Sequence, residues 1–233
     1  MKSNSDKLLD IYYEFPFENH PLWKNVLLGK FSKDQIYKAE IQHYLRTKNG
    51  QKIREYAMRS AEGNNDKLFK ELLKTYLEEC VTNDSNRSHL ELVTDLLENS
   101  GKTIDQLDKE SLTPGNIAAL AIYKEIGALG SVFHFIGAGV VEHYYSALCP
   151  KIFKAYTEIY SFSKKEAATY FIHSEMDQEH AKRSFIFIDD AVRDYGFDKI
   201  ENVVKMAFIA TSLHYDGMLQ AAIGNNNYWN GID

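Results

Sequence analysis

Four prolines stand in 233 residues, and each lies where a helix can begin or end: Pro16, Pro21, Pro114 and Pro150. Proline has no N–H and a fixed φ, so a helix tolerates it in the first turn and resists it in the interior. Helix starts are marked elsewhere by capping boxes, Ser32 with Gln35, Thr103 with Gln106 and Ser163 with Glu166. Thr113-Pro114 reads as an N-cap followed by proline at the first helical position. No segment alternates apolar and polar residues as a half-buried strand would. The chain is therefore expected to be all-α. Its helices are predicted near 5–14, 21–29, 33–61, 65–80, 87–99, 103–110, 114–148, 150–161, 164–195 and 198–223. Gly196 stops the long helix after Ser163, and the tail 224–233 has no periodicity.

This length suits one domain with a sizeable core, here 1–233 with a leading segment at 1–14. A net charge of -6, with Lys and Arg scattered, argues against a nucleic-acid surface. The most apolar stretch, 128–141, is shorter than the ~20 residues of a membrane span. Two cysteines, Cys80 and Cys149, form neither a disulfide framework nor a metal-binding pair. Residues 1–10 lack the apolar core of a signal peptide, so a cytoplasmic location is expected.

The sharpest chemical signal is His173-Ser-Glu-Met-Asp177-Gln-Glu-His180. Its ligand-type residues fall at i, i+4 and i+7, which stacks them on one helix face. Mixed nitrogen and oxygen donors suit iron or manganese better than calcium or magnesium. The bland alternative is a solvated polar face, but Glu175, Glu179 and Lys182 already supply one on another side of the helix. Glu142 lies in a helix apolar on nearly every side, including Ile117, Val132, Ile136 and Val140. A buried carboxylate there needs a salt bridge, such as one to an arginine of a neighbouring helix, or a cation. Glu79 and His89 flank the polar interruption 83–86, where a broken helix can aim both at one point. Three carboxylates and three histidines from several helices form the kind of set that holds two irons in helical bundles. The ferritin-like pattern of two Glu-x-x-His motifs fits in part: Glu40-Ile-Gln-His43 is one, and Asp177-x-x-His180 stands in the second place.

The layout resembles the haem-oxygenase-like diiron oxidases, a branch of the TenA and pyrroloquinoline-quinone-synthase-like helical bundles. His20-Pro21-Leu22-Trp23 and Gly29-Lys30-Phe31-Ser32 resemble the opening of that superfamily, and Glu79, His89, Glu142 and His173-x3-Asp177-x2-His180 with Ala181 follow in order. The resemblance spans roughly residues 15–220. It implies one iron on Glu79, His89 and Glu142 and another on His173, Asp177 and His180, with Glu55 or Glu40 as a further ligand. It also implies two Fe(II) ions, with manganese admissible, O2 as co-substrate and no haem. The expected substrate is a small, amino-acid-like molecule, with an aromatic one admitted, oxidised by C–C cleavage, N-oxygenation or nitrile formation in a specialised biosynthetic pathway. His43, Phe133, Phe135, Tyr144, Tyr145 and Phe171 are candidate pocket residues, each with ordinary packing as its competing explanation. Proteins of this fold often pair, so a homodimer is admitted.

Four other readings stay open. A TenA-like enzyme would use Cys80 or Cys149 as nucleophile. A haem oxygenase would use His20 as axial ligand and the glycines 127, 130, 137 and 139 to soften its distal helix. A fatty-acid decarboxylase would share the diiron centre, and a non-enzymatic iron-binding protein would share its ligands.

Overall fold

A computed structural model describes residues 2–84 and 86–225, and the tail residues 226–233 lie outside it. Eleven α-helices occur among the described residues, and no β-strand. They are α1 (Asn4–Asp10), α2 (Pro21–Leu27), α3 (Lys33–Ala61), α4 (Asp66–Cys80), α5 (His89–Leu96), α6 (Ile104–Leu107), α7 (Pro114–Leu129), α8 (Ser131–Glu158), α9 (Ala168–Phe185), α10 (Ile188–Tyr195) and α11 (Phe197–Ile223). None is long and apolar enough to cross a membrane.

The caps follow the sequence. Ser32 and Thr103 close reciprocal capping boxes with Gln35 and Gln106, and Pro114 opens α7. Ser163 and Glu166 also exchange hydrogen bonds, Glu166 N to Ser163 Oγ at 3.1 Å and Ser163 N to Glu166 Oε2 at 2.7 Å. They bracket turns, however, and α9 begins only at Ala168.

Three helix expectations are corrected. The helix expected over 114–148 breaks at Gly130, whose φ of 140° is a conformation that side chains disfavour. Pro150 does not start a helix: α8 runs through it, with Leu148, Cys149 and Ile152 all buried to hold the helix in place. The helix expected over 164–195 divides at 186–187, where Phe187 and Ile188 turn into the core. Ile117, expected inside, is 44% exposed on the outer side of α7.

Helix α3 runs through the middle of the bundle and packs on α4, α5, α7, α8 and α11, while α8 lies along α9. Two close approaches set this geometry. On α7, a Cβ at Gly115 would stand 2.5 Å from the backbone N of Gly217 on α11. On α8, a Cβ at Gly139 would stand 1.8 Å from Ser184 Oγ and 2.5 Å from Ser184 Cβ on α9. The glycines expected to soften a distal helix thus serve instead as a break, at Gly130, and as a contact surface, at Gly139. Gly139→Ala should lower the unfolding free energy in urea by about 1–3 kcal/mol, as overpacking does. Adding Ser184→Gly should recover part of that loss, and a purely additive double variant would show that the contact does not limit helix approach.

Candidate metal centre

Glu79 closes α4 and His89 opens α5. Between them Asn86 Nδ2 donates to the carbonyls of Glu78 (2.9 Å) and Val81 (3.0 Å), satisfying the end of α4. Ser88 Oγ caps α5 by accepting from Glu91 N. The interruption thereby turns the chain so that His89 Nδ1 lies 3.1 Å from Glu79 Oε2. From α9, His173 Nε2 lies 3.5 Å and His180 Nδ1 3.7 Å from Glu79 Oε1. Glu142 of α8 places Oε2 3.4 Å from His180 Nδ1. All six sequence-selected residues therefore meet in one place.

Their grouping differs from the one the resemblance implied. Two sets of ligand atoms lie within 4.8 Å of one another: Glu79, His89 and His173, and Glu79, Asp177 and His180. Glu79 belongs to both, His173 groups with His89, and Glu142 flanks the second set.

Each histidine is turned by an outer partner. His173 Nδ1 lies 2.7 Å from the Thr169 carbonyl, so Nδ1 carries a proton and Nε2 is the nitrogen turned to Glu79. His180 Nε2 lies 3.2 Å from Glu78 Oε2, which Arg183 also holds, at 2.5 Å. His89 Nε2 lies 3.0 Å from His43 Nε2, and His43 Nδ1 lies 2.9 Å from Glu40 Oε2. One tautomer assignment satisfies the outer part of this chain: His43 donates to Glu40 and His89 donates to His43. It leaves the Nδ1 lone pair of His89 facing Glu79, as a metal ligand requires.

The electrostatics are those of a cluster short of cations. Burial alone would raise the Glu79 pKa, but Arg54, His173 and His89 hold it well below the usual range. Glu142 is also held low against its burial, by His180 and Arg54. Burial opposes protonation of His173 and His180, yet Asp177 and Glu79 raise the first to about 9, and Glu142 and Glu78 raise the second to about 10. Burial instead pushes Asp177 up, against the pull of His173. Arg54 Nη2 stands 3.3 Å from Glu79 and 3.1 Å from Glu142, so the salt bridge considered for Glu142 is present. It does not satisfy the cluster. Glu79 Oε1, His173 Nε2 and His180 Nδ1 are buried without hydrogen-bond partners. Such atoms are rare in folded proteins, and a coordinated cation satisfies all three at once. With its imidazole and carboxylate donors the set fits iron.

The remaining candidates divide by helical phase. Glu40 is fully buried but sits behind His43, accepting from the phenols of Tyr156 and Tyr170. Glu55, one residue past Arg54 and so about 100° round the helix, pairs with Arg59 at the surface. Phe171 is about 200° from His173 and is 63% exposed, packing on Phe153. Phe133 is about 180° from Glu142 and packs on Tyr195. Phe135 packs on Phe187 and edges a small void beside Glu142. Tyr144 stacks on Tyr12, with its hydroxyl donating to the Leu9 carbonyl. Of the pocket candidates, His43 and Tyr145 line the cavity at the cluster. His20 N-caps α2 and pairs with Asp216 at 3.2 Å, so it is engaged in structure rather than presented to a haem. Burial pushes the Cys80 thiol up to about 11 and Cys149 well above its usual value, so neither is activated as a nucleophile.

Two adjoining chambers share walls formed by Arg46, Arg54, Glu79, His89, Val141 and Glu142. The inner one reaches His173 and Asp177, and the outer one continues between apolar residues of α3, α7 and α8. Sequence reasoning missed Arg46, Arg54 and His214. The signal available was the spacing of His43, Thr47, Gly50 and Arg54, which puts them on one face of α3.

A model of a family of iron-containing redox enzymes with haem-oxygenase-like character matches residues 46–213. Solved structures share the fold. A domain of unknown function with a haem-oxygenase-like fold from Shewanella denitrificans gives a TM-score of 0.75 at 16% identity, over 92% of this chain and 90% of that one. A CADD-like protein of unknown function from Nostoc punctiforme gives 0.74 at 15% identity, over 96% and 97%. A TenA homologue from Pyrococcus furiosus gives 0.72 at 13% identity, over 93% and 100%. No curated protein matches the chain. With a helical bundle common to these neighbours, and a family match that runs from within α3 to within α11 and takes in every one of the six clustered residues, the chain belongs to the haem-oxygenase-like family of iron-containing redox enzymes.

Proposed function

We propose that this protein is a non-haem oxidase or oxygenase that holds two iron ions and uses O2 to oxidise a small organic molecule. The observation that carries this reading is Glu79, a buried carboxylate common to two three-residue ligand sets, whose own Oε1 and two neighbouring imidazole nitrogens have no hydrogen-bond partner. A carboxylate in that place suits a bridge between two ions. His89 and His173 would hold one ion, and Asp177 and His180 the other, with Glu142 beside the second. When bound, two ferrous ions supply electrons to O2, which converts it into an oxidant for an otherwise inert bond.

The chain's own contribution is positioning and exclusion. Thr169, Glu78 and His43 fix the three imidazoles. Val141 and the outer chamber's aliphatic side chains keep bulk water from the cluster, which limits side reactions. Arg54 neutralises part of the carboxylate charge, so it competes with cations for Glu79 and Glu142.

Anaerobic loading with Fe(II), followed by metal analysis, should give two irons per chain, reduced in a His173→Ala, Asp177→Ala variant. A parent that takes up no iron would sink this reading. Arg54→Gln should tighten binding of the weaker ion by removing its competitor, as equilibrium dialysis would measure.

Because His173 and His180 are held protonated up to about pH 9 and 10 without metal, binding must expel their protons. Affinity should therefore rise with pH from 6 to 9, with proton release visible as a dependence of the calorimetric heat on the buffer. Metal binding that is independent of pH across this range would place the ion elsewhere.

A further inference from the structure

His214 of α11 lines the inner chamber, yet it belongs neither to the ligand cluster nor to the hydrogen-bond chain behind His89. It is 4% exposed. Its neighbours fix which ring nitrogen carries a proton. The backbone N–H of Thr113 donates to Gln42 Oε1 at 2.9 Å, so that atom is the oxygen of the Gln42 amide. Asn116 Nδ2 donates to the same oxygen at 3.0 Å and to the Gln42 backbone carbonyl at 3.1 Å. The other end of the Asn116 amide is therefore oxygen, and it stands 2.7 Å from His214 Nδ1. An amide oxygen only accepts, so Nδ1 carries the proton. Burial, helped by the charge of Arg46, holds the ring well below the usual pKa of histidine, so it carries no second proton. The lone pair is left on Nε2.

Nothing in the described protein uses that lone pair. Among the described residues Nε2 makes no hydrogen bond. Unlike His173 Nε2 and His180 Nδ1 it is not sealed by protein atoms, and it opens onto the chamber. The carboxylates at that chamber, Glu79, Glu142 and Asp177, are occupied with the cluster. His43 and His89 are engaged with Glu40, each other and Glu79, and His173 with Thr169 and Glu79. Thr211 Oγ1 donates to the Ala207 carbonyl at 2.9 Å and meets the Tyr123 hydroxyl at 2.8 Å. Three helices, α3, α7 and α11, thus hold one bare nitrogen acceptor in the chamber wall, and a buried acceptor calls for a donor.

We infer that His214 Nε2 binds the substrate, by accepting a hydrogen bond from one of its hydroxyl or N–H groups. The inference rests on the proposed oxidase reading and deepens it by naming the contact that orients the molecule. Val141, Tyr145 and Tyr215 give the rest of the ligand apolar contact in the same chamber. Water is the competing occupant, and a ligand group that reproduces its hydrogen bond displaces it without loss of affinity.

Fluorine NMR titration of the metal-free full chain with para-fluorophenol and para-fluorotoluene, alike in shape but differing in the O–H donor, tests this. His214→Phe should lower the affinity for the phenol about three- to tenfold relative to the toluene, as loss of a hydrogen bond does. His214→Gln, whose amide can donate to Asn116 and still present oxygen to the chamber, should keep part of the preference. Nitrogen NMR of the parent with isotope-labelled histidine needs no variant. His214 should show a protonated Nδ1 and a bare Nε2, and the Nε2 resonance should move with para-fluorophenol but not with para-fluorotoluene. The inference is overturned if Nε2 carries the proton, or if a folded His214→Phe keeps the parental ratio of affinities. A phenol held by the ligand cluster, or a water retained at Nε2, would leave that resonance unmoved and overturns it equally. These titrations contain no metal and iron is counted independently, so failure here is distinct from failure of the diiron reading.

Discussion

The structure turns on one buried carboxylate. Glu79 is 3% exposed and is approached by a guanidinium from α3, an imidazole from α5 and two imidazoles from α9. Removing a carboxylate from water costs several kcal/mol unless its lone pairs are satisfied. Here one oxygen is met by Arg54 at 3.3 Å and faces the bare Nδ1 of His89, and the other is left with contacts of 3.5 Å and 3.7 Å, too long for good hydrogen bonds. The bundle has therefore brought four helices together around a position that protein groups alone do not satisfy. A divalent cation is the simplest group that would.

Around this centre lies a layer whose purpose is orientation. The Thr169 carbonyl decides which nitrogen of His173 is free, and Glu78 does so for His180. Glu40 belongs to this layer too. Its carboxylate accepts from two phenols and from His43, so it is anchored before it acts on His89 through His43. This explains how a Glu-x-x-His motif can be present, buried and essential to the geometry without supplying a ligand. The close contact of Gly139 with Ser184 brings α8 near enough to α9 for Glu142 to reach His180.

A shared fold does not by itself specify a shared chemistry. Neighbours at 13–16% identity share the bundle, and that likeness speaks only of the backbone. Within that bundle this chain sets two arginines of α3 at the chamber walls, and Arg54 pairs with Glu79 and Glu142.

The sequence by itself determined the all-helical architecture, most helix starts and the stripe of His173, Asp177 and His180, because capping chemistry and i, i+4, i+7 spacing are local; Glu79, His89 and Glu142 were singled out by a helix interruption, an apolar helix and the family resemblance. It also offered the two ways of satisfying Glu142. Local rules misjudged Pro150, Phe133 and Phe171, since burial of a helix face depends on which neighbour covers it. Only the tertiary structure decided that Glu79 would be shared, that His173 would group with His89, and that Glu40 would stand behind rather than beside the ligands. Those outcomes depend on how α3, α4, α5, α8 and α9 approach one another, and contacts between residues tens of positions apart leave no periodic trace in the chain.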